Sequence, residues 1–110
     1  MKENKVYLDD ILECINQIEA YTAATSFEEF KSDIKTQDAV LRRLEIIGEA
    51  VKNLNNEFRM AYPAIPWKKI AGMRDVLIHE YAGIMIERVW NTLQENIPNL
   101  KKDIQSLLQD

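Results

Sequence analysis

Residues 72–83 read GMRDVLIHEYAG and hold the chain's one histidine, His79, with Arg74 five positions before it and Tyr81 two after. An imidazole changes charge near neutral pH, so it can take the proton of a ribose 2′-hydroxyl or give one to a leaving 5′-oxygen. A guanidinium presents forked donors that match phosphoryl oxygens and can neutralise a pentacoordinate phosphate. Arg74 and His79 therefore suffice for metal-free cleavage of an RNA phosphodiester.

On a regular helix each residue advances about 100°, which sets what these side chains can share. Tyr81 lies nearly above Arg74 on one stripe, whereas Asp75 and His79, four apart, form a second stripe on which the carboxylate can hold or protonate the imidazole. Arg74 and His79 stand roughly 140° apart around the axis. For both to reach one phosphate, Arg74 must wrap around the helix, the helix must distort near Gly83, or a second chain must complete the pocket. Each route favours a groove, and the last predicts a homodimer. In the turn before Gly83, His79 would also lie near the negative end of the helix dipole, which favours the charged ring. The competing reading is a non-enzymatic helical interaction module whose polar residues are simply satisfied. Glu49, beside the helix-interrupting Gly48, is a candidate partner for Arg74, although helix packing is the better account of Gly48. Trp67 and Trp90 read as core or interface anchors, and Cys14 as an inert thiol on an apolar face.

These residues must be positioned by helices. Leu8, Ile11, Leu12, Ile15 and Ile18 recur at helical spacing and predict a first helix over about residues 4–24. Ser26 and Glu29 form a capping-box pattern ahead of a short helix or turn over 27–33. Val40, Leu44, Ile47, Val51, Leu54 and Phe58 make a near-heptad seam for a second long helix, with Thr36 as its expected N-cap and Asp38 in its first turn. Pro63 and Pro66 break that helix, and Pro66 is expected at the first position of the next, which runs through Trp67, Ile70, Val76 and Ile78 to a cap at Gly83. Gly72 is expected to kink or split it. A helix over about 84–97 buries Ile86, Val89, Trp90, Leu93 and Ile97, and Pro98 starts a last short helix carrying Leu100, Ile104, Leu107 and Leu108. The expected architecture is all-α, a small bundle of four to five helices in one domain over residues 1–110.

The net charge of −4 argues against a protein that coats nucleic acid. Its distribution is uneven: −5 over residues 1–41, +4 over 42–74 and −3 over 75–110. The basic excess, in Arg42, Arg43, Lys52, Arg59, Lys68, Lys69 and Arg74, runs into the opening motif and reads equally as a local phosphate-attracting surface or as ordinary solvated helix faces. One cysteine forms no internal disulfide, and no Cys/His cluster supplies four zinc ligands, so no metal or cofactor is expected. The charged N-terminus and the lack of an apolar run of roughly 20 residues predict a cytoplasmic protein without a membrane span.

Arg74-Asp75-Val76-Leu77-Ile78-His79-Glu80-Tyr81 resembles the Arg-x4-His-x-Tyr motif of the HEPN superfamily. The segments RRLEIIGEAVKNL, YPAIPWKKIAGMRDVLIHEY and ERVW look like its HepT (DUF86) branch, the toxin half of MNT/HepT toxin–antitoxin systems, and the likeness spans roughly residues 5–100. The resemblance implies a homodimeric helical bundle in which two motifs face a shared cleft and act as a metal-independent endoribonuclease, with Arg74 and His79 as the catalytic pair and RNA as substrate. It also implies that Tyr81 is adenylylated by a cognate MNT-type nucleotidyltransferase antitoxin, within a type VII-like system that can extend to a larger toxin–antitoxin complex. Asp75 stands where Asn is frequent in the family, and Ala82 and Met85 where Phe and Asp are. Asp75 and Glu49 are the supporting positions.

Overall fold

A computed structural model of the chain describes residues 2–73 and 86–109, and no strand occurs among them. The described helices are α1 (Lys2–Thr22), α2 (Phe27–Ser32), α3 (Ile34–Asn53), α4 (Asn56–Ala61), α5 (residues 67–73), α6 (Ile86–Asn91) and α7 (Ile97–Gln109), with a π turn, Thr92–Asn96, joining the last two. The expected all-α bundle is what these residues form. Expectations for Val76, Ile78, the Gly83 cap and residues 84–85 lie outside the described residues.

The apolar stripes of the long helices meet in one core. Leu8, Ile11, Ile15 and Ile18 of α1 are buried, as are Val40, Leu44, Ile47 and Val51 of α3, and Leu100 and Ile104 of α7. α1 packs on both α3 and α7. Two polar contacts show that α1 and α3 run antiparallel. Near the start of α1, buried Asn4 accepts through Oδ1 from the Asn55 backbone N–H just past the end of α3, at 2.9 Å. Near the end of α1, the Tyr21 hydroxyl accepts from Arg43 Nε in the middle of α3, at 3.4 Å.

Local chemistry decides where the helices start and stop. The Ser26 capping box forms as expected: Glu29 N–H donates to Ser26 Oγ at 3.1 Å and Ser26 N–H to Glu29 Oε1 at 3.0 Å. α2 then sinks Phe30 against Trp90, ring centroids 5.2 Å apart. Buried Gln37 donates from Nε2 to the Phe30 and Lys31 carbonyls at 2.8 and 3.0 Å, tying α3 to the end of α2, where the Phe30 carbonyl also takes the Asp33 N–H.

Three boundaries differ from the sequence reading. The cap of α3 is Asp33, not Thr36: Asp33 Oδ1 accepts from the Thr36 N–H at 3.1 Å, which makes Thr36 the third helical residue and leaves Asp38 beyond the first turn. The seam from Val40 to Phe58 is cut after Asn53, because the Asn55 carboxamide accepts from Glu57 and Phe58 N–H and opens a separate helix, α4. Phe58 is buried from there. Pro66 occupies the cap rather than the first turn of α5, since its carbonyl receives the Ile70 N–H at 3.0 Å. Trp67, buried, donates from Nε1 to the Arg59 and Tyr62 carbonyls at 3.1 and 3.2 Å, tying the start of α5 to the end of α4.

The fourth difference concerns Pro98. Instead of starting a new helix, it lies within a continuous rod made of α6, the π turn and α7. Proline lacks an N–H and its ring crowds the carbonyl four residues back. The widened turn makes room for that ring, with Ile97 N–H donating to the Thr92 carbonyl five residues earlier. It also serves the core. Val89, Leu93 and Ile97 recur at two successive steps of four, which on a uniform α-helix drift roughly 80° around the axis. The wider turn takes up this drift, and all three are buried.

Candidate active site

Arg74, Asp75, His79 and Tyr81 lie outside the described residues, as does Gly83. What the structure describes is the framework around them. The chain enters the segment from Met73 at the end of the described part of α5 and leaves it to Ile86 at the start of the rod. The backbone of α5 remains helical through Gly72, so no split occurs there.

Glu49 lies on an exposed face of α3, with its carboxylate 3.9 Å from Lys52 Nζ and its backbone carbonyl accepting from Asn53 Nδ2 at 3.1 Å. Gly48 is buried within the unbroken α3. Three cations of the basic stretch, read either as a phosphate-attracting surface or as ordinary solvated helix faces, have local partners. Arg42 pairs with Glu45, Arg43 donates to Tyr21, and Lys52 faces Glu49. The Nε of Arg59 is buried without a hydrogen-bond partner. Cys14 sits beside Arg43 on the buried face of α1. Burial pushes its thiol above the usual range despite the opposing hydrogen bond from Arg43, which keeps it un-ionised.

Between α5 and the rod the surface opens into a cleft of about 800 Å³. One wall is the start of α5, through Pro66, Lys69, Ile70 and Met73. The other is the rod, where the π turn supplies the middle of the wall and α7 the far end. Its floor is aliphatic, from Ile70, Met73, Ile97 and Leu100, and the charged residues of its described lining are Lys69, Arg88 and Lys102 against one carboxylate, that of Asp103. Three asparagines, Asn91, Asn96 and Asn99, add carboxamides that can both donate and accept. The cleft is lined by residues close in sequence to both ends of the segment 74–85: Met73 immediately precedes Arg74, and Arg88 follows residue 85 by only a few positions.

Charge read along the sequence flags Lys69 but neither Arg88 nor Lys102, because both belong to a stretch whose net charge is −3. Charge summed along the chain does not show which cations share a face, and here the phase of the rod across its π turn decides that. No group of three or more His, Cys, Asp or Glu side chains is arranged to hold a metal ion among the described residues. No helix among them is long and apolar enough to cross a membrane.

Comparison with known proteins covers nearly the whole chain. Residues 11–107 match a family model described as ribonuclease HepT-like. The chain is 49% identical over 106 residues to a probable ribonuclease HepT of Thermococcus cleftensis, covering 96% of each chain. It is 49% identical over 110 residues to a putative RNase of Caldanaerobacter subterraneus subsp. tengcongensis, covering 99% of this chain and 97% of that one. To a putative RNase of Methanocaldococcus jannaschii it is 46% identical over 109 residues, covering 99% and 90%. No solved structure matches the chain.

Proposed function

The chain belongs to the HepT-like ribonuclease family, and from that premise we propose that it is a metal-independent endoribonuclease whose catalytic pair is Arg74 and His79. The observation that carries this reading is the match over residues 11–107, which spans the Arg-x4-His-x-Tyr segment. The cationic cleft, lined by residues close in sequence to both ends of that segment, supports it, since an acidic chain that keeps such a surface there can attract a polyanion locally.

In the proposed reaction His79 takes the proton of the ribose 2′-hydroxyl, and the 2′-oxygen attacks the adjacent phosphorus. The bond to the 5′-oxygen breaks as that oxygen gains a proton, leaving a 2′,3′-cyclic phosphate and a 5′-hydroxyl. Arg74 holds the extra negative charge of the pentacoordinate phosphate. The offset of Arg74 from His79 on a regular helix favours a cleft completed by a second copy, so the active species is a homodimer. Asp75, four residues before His79, orients or recharges the imidazole, and Glu49 is assigned the supporting role of pairing with Arg74.

The enzyme acts as the toxin of a type VII-like pair. A nucleotidyltransferase antitoxin transfers AMP from ATP to the Tyr81 hydroxyl, releasing pyrophosphate. The added bulk and negative charge at the cleft then exclude RNA by occupancy and repulsion.

The test is cleavage of RNA by purified chain free of Tyr81 modification, read with end-group analysis of the products. His79→Ala is expected to lower the rate on the order of 10²–10⁴-fold, the usual contribution of a positioned acid or base, without unfolding the protein. Co-production with the nucleotidyltransferase should add one or more AMP-sized increments that map to Tyr81 and abolish cleavage. Unmodified dimer that binds the nucleotidyltransferase yet cuts no RNA would overturn this reading in favour of a non-enzymatic interaction module.

A further inference from the structure

The chemistry proposed for Arg74 and His79 leaves unexplained why a cleft of about 800 Å³, lined by residues close to them in sequence, combines an aliphatic floor with a cationic rim. That volume lies in the range that encloses a drug-sized ligand, enough for roughly one or two nucleotides. Lys69 stands on one wall and Arg88 and Lys102 on the other, with Asp103 as the only opposing charge among the described residues of the lining. A lone phosphate is best held by cations that converge on one point. Cations spread along the rims of an apolar trough instead suit an anion with an apolar body, which describes a nucleotide strand: phosphates outside, base faces within. Among the described residues that line the trough none is aromatic, and a base seated against them would lie on the aliphatic floor of Ile70, Met73, Ile97 and Leu100. Its edges would meet the carboxamides of Asn96 and Asn99, which are exposed and carry both donors and acceptors.

We propose that this cleft is the subsite for the nucleotides flanking the scissile phosphate of a single-stranded RNA, with Lys69 and Lys102 holding the backbone and Asn96 and Asn99 reading a base. The inference rests on the ribonuclease reading above for its substrate, and it adds where the strand runs and where sequence preference arises. The π turn has a role in it. The widened turn at Thr92–Asn96 sets the phase between Arg88 and Lys102, so that residues on either side of it line one trough.

The experiment measures binding of a labelled, mixed-sequence single-stranded RNA dodecamer to the full chain carrying His79→Ala, across a salt series. The double variant Lys69→Ala/Lys102→Ala on that background should bind more weakly. It should also flatten the slope of log affinity against log salt by about 1.4, at about 0.7 for each single-strand phosphate that a lysine no longer neutralises. Asn96→Ala/Asn99→Ala should keep the slope and lose the preference among RNAs that differ at one base. An unchanged salt slope in the lysine pair overturns the subsite. So does a lysine pair that shifts the mass of the assembly by light scattering while RNA affinity stays the same, because the trough is then the seat of a second copy. Cleavage by the chain with His79 intact is scored separately. Lysine-dependent binding without any cleavage sinks the ribonuclease reading and leaves the subsite standing. Cleavage whose kcat/KM ignores the lysine pair does the reverse.

Discussion

Ala24, in the turn after α1, adopts a φ of 57°, a left-handed conformation in which a Cβ crowds the following carbonyl. Gly72 presents the opposite case. It is helical, no glycine among the described residues has positive φ, and a Cβ built on it would meet nothing within 4 Å. The two swaps are therefore expected to act in the same direction. Ala24→Gly removes a steric cost, and Gly72→Ala removes backbone freedom from the unfolded chain. Each should raise stability by about 0.5–1 kcal/mol, read as an upward shift of the denaturation midpoint. Neither position is legible in the sequence. Gly72 reads as a kink because glycine is a poor helix former, yet the packing on either side of it keeps α5 helical. Ala24 carries no turn signature at all, and its φ follows from the need to lead α1 into the Ser26 cap.

At the scale of elements, helix ends are held by carboxylates and carboxamides. Hydrogen bonds from the backbone and hydroxyl of Ser26 hold the Glu29 carboxyl below its ordinary range. The hydroxyl and backbone N–H of Thr36 do the same for Asp33. In both cases the native pKa lies below the unfolded one, so the stabilisation is fully present above the ordinary carboxylate range near pH 4 and is lost as pH falls through the lower native values. Thermal midpoints should drop on acidification through this window, and the Glu29→Gln/Asp33→Asn chain should show a shallower drop. An identical pH profile for both chains would refute the assignment. The capping box is readable from Ser26 and Glu29 because both partners are local in sequence. The Asp33 cap is hidden because Thr36 is an equally good capping residue by type. Asn55 is hidden because the apolar seam continues past it, and only its bonds to Asn4, Glu57 and Phe58 show the break.

For the whole molecule, apolar burial between α1, α3 and α7 outweighs surface charge. Ile11 is fully buried at this junction. Ile11→Ala should cost about 2–5 kcal/mol, a large share of the roughly 5–15 kcal/mol that holds a domain folded. The Glu19–Lys101 pair between α1 and α7, at 2.7 Å but partly exposed, should cost no more than about 1 kcal/mol when Glu19 is replaced by Ala. Chemical denaturation of the two variants checks the ranking, and equal losses would contradict it. Helical class and the buried stripes were decided by sequence, because apolar period and local caps act over a few neighbouring positions. The cleft was decided only by tertiary structure. Its cations come from segments of opposite net charge, Lys69 on α5 and Arg88 and Lys102 on a rod whose phase is reset by a π turn around Pro98. No one-dimensional pattern encodes that phase: it arises when the core claims Val89, Leu93 and Ile97 together and the proline ring is given room.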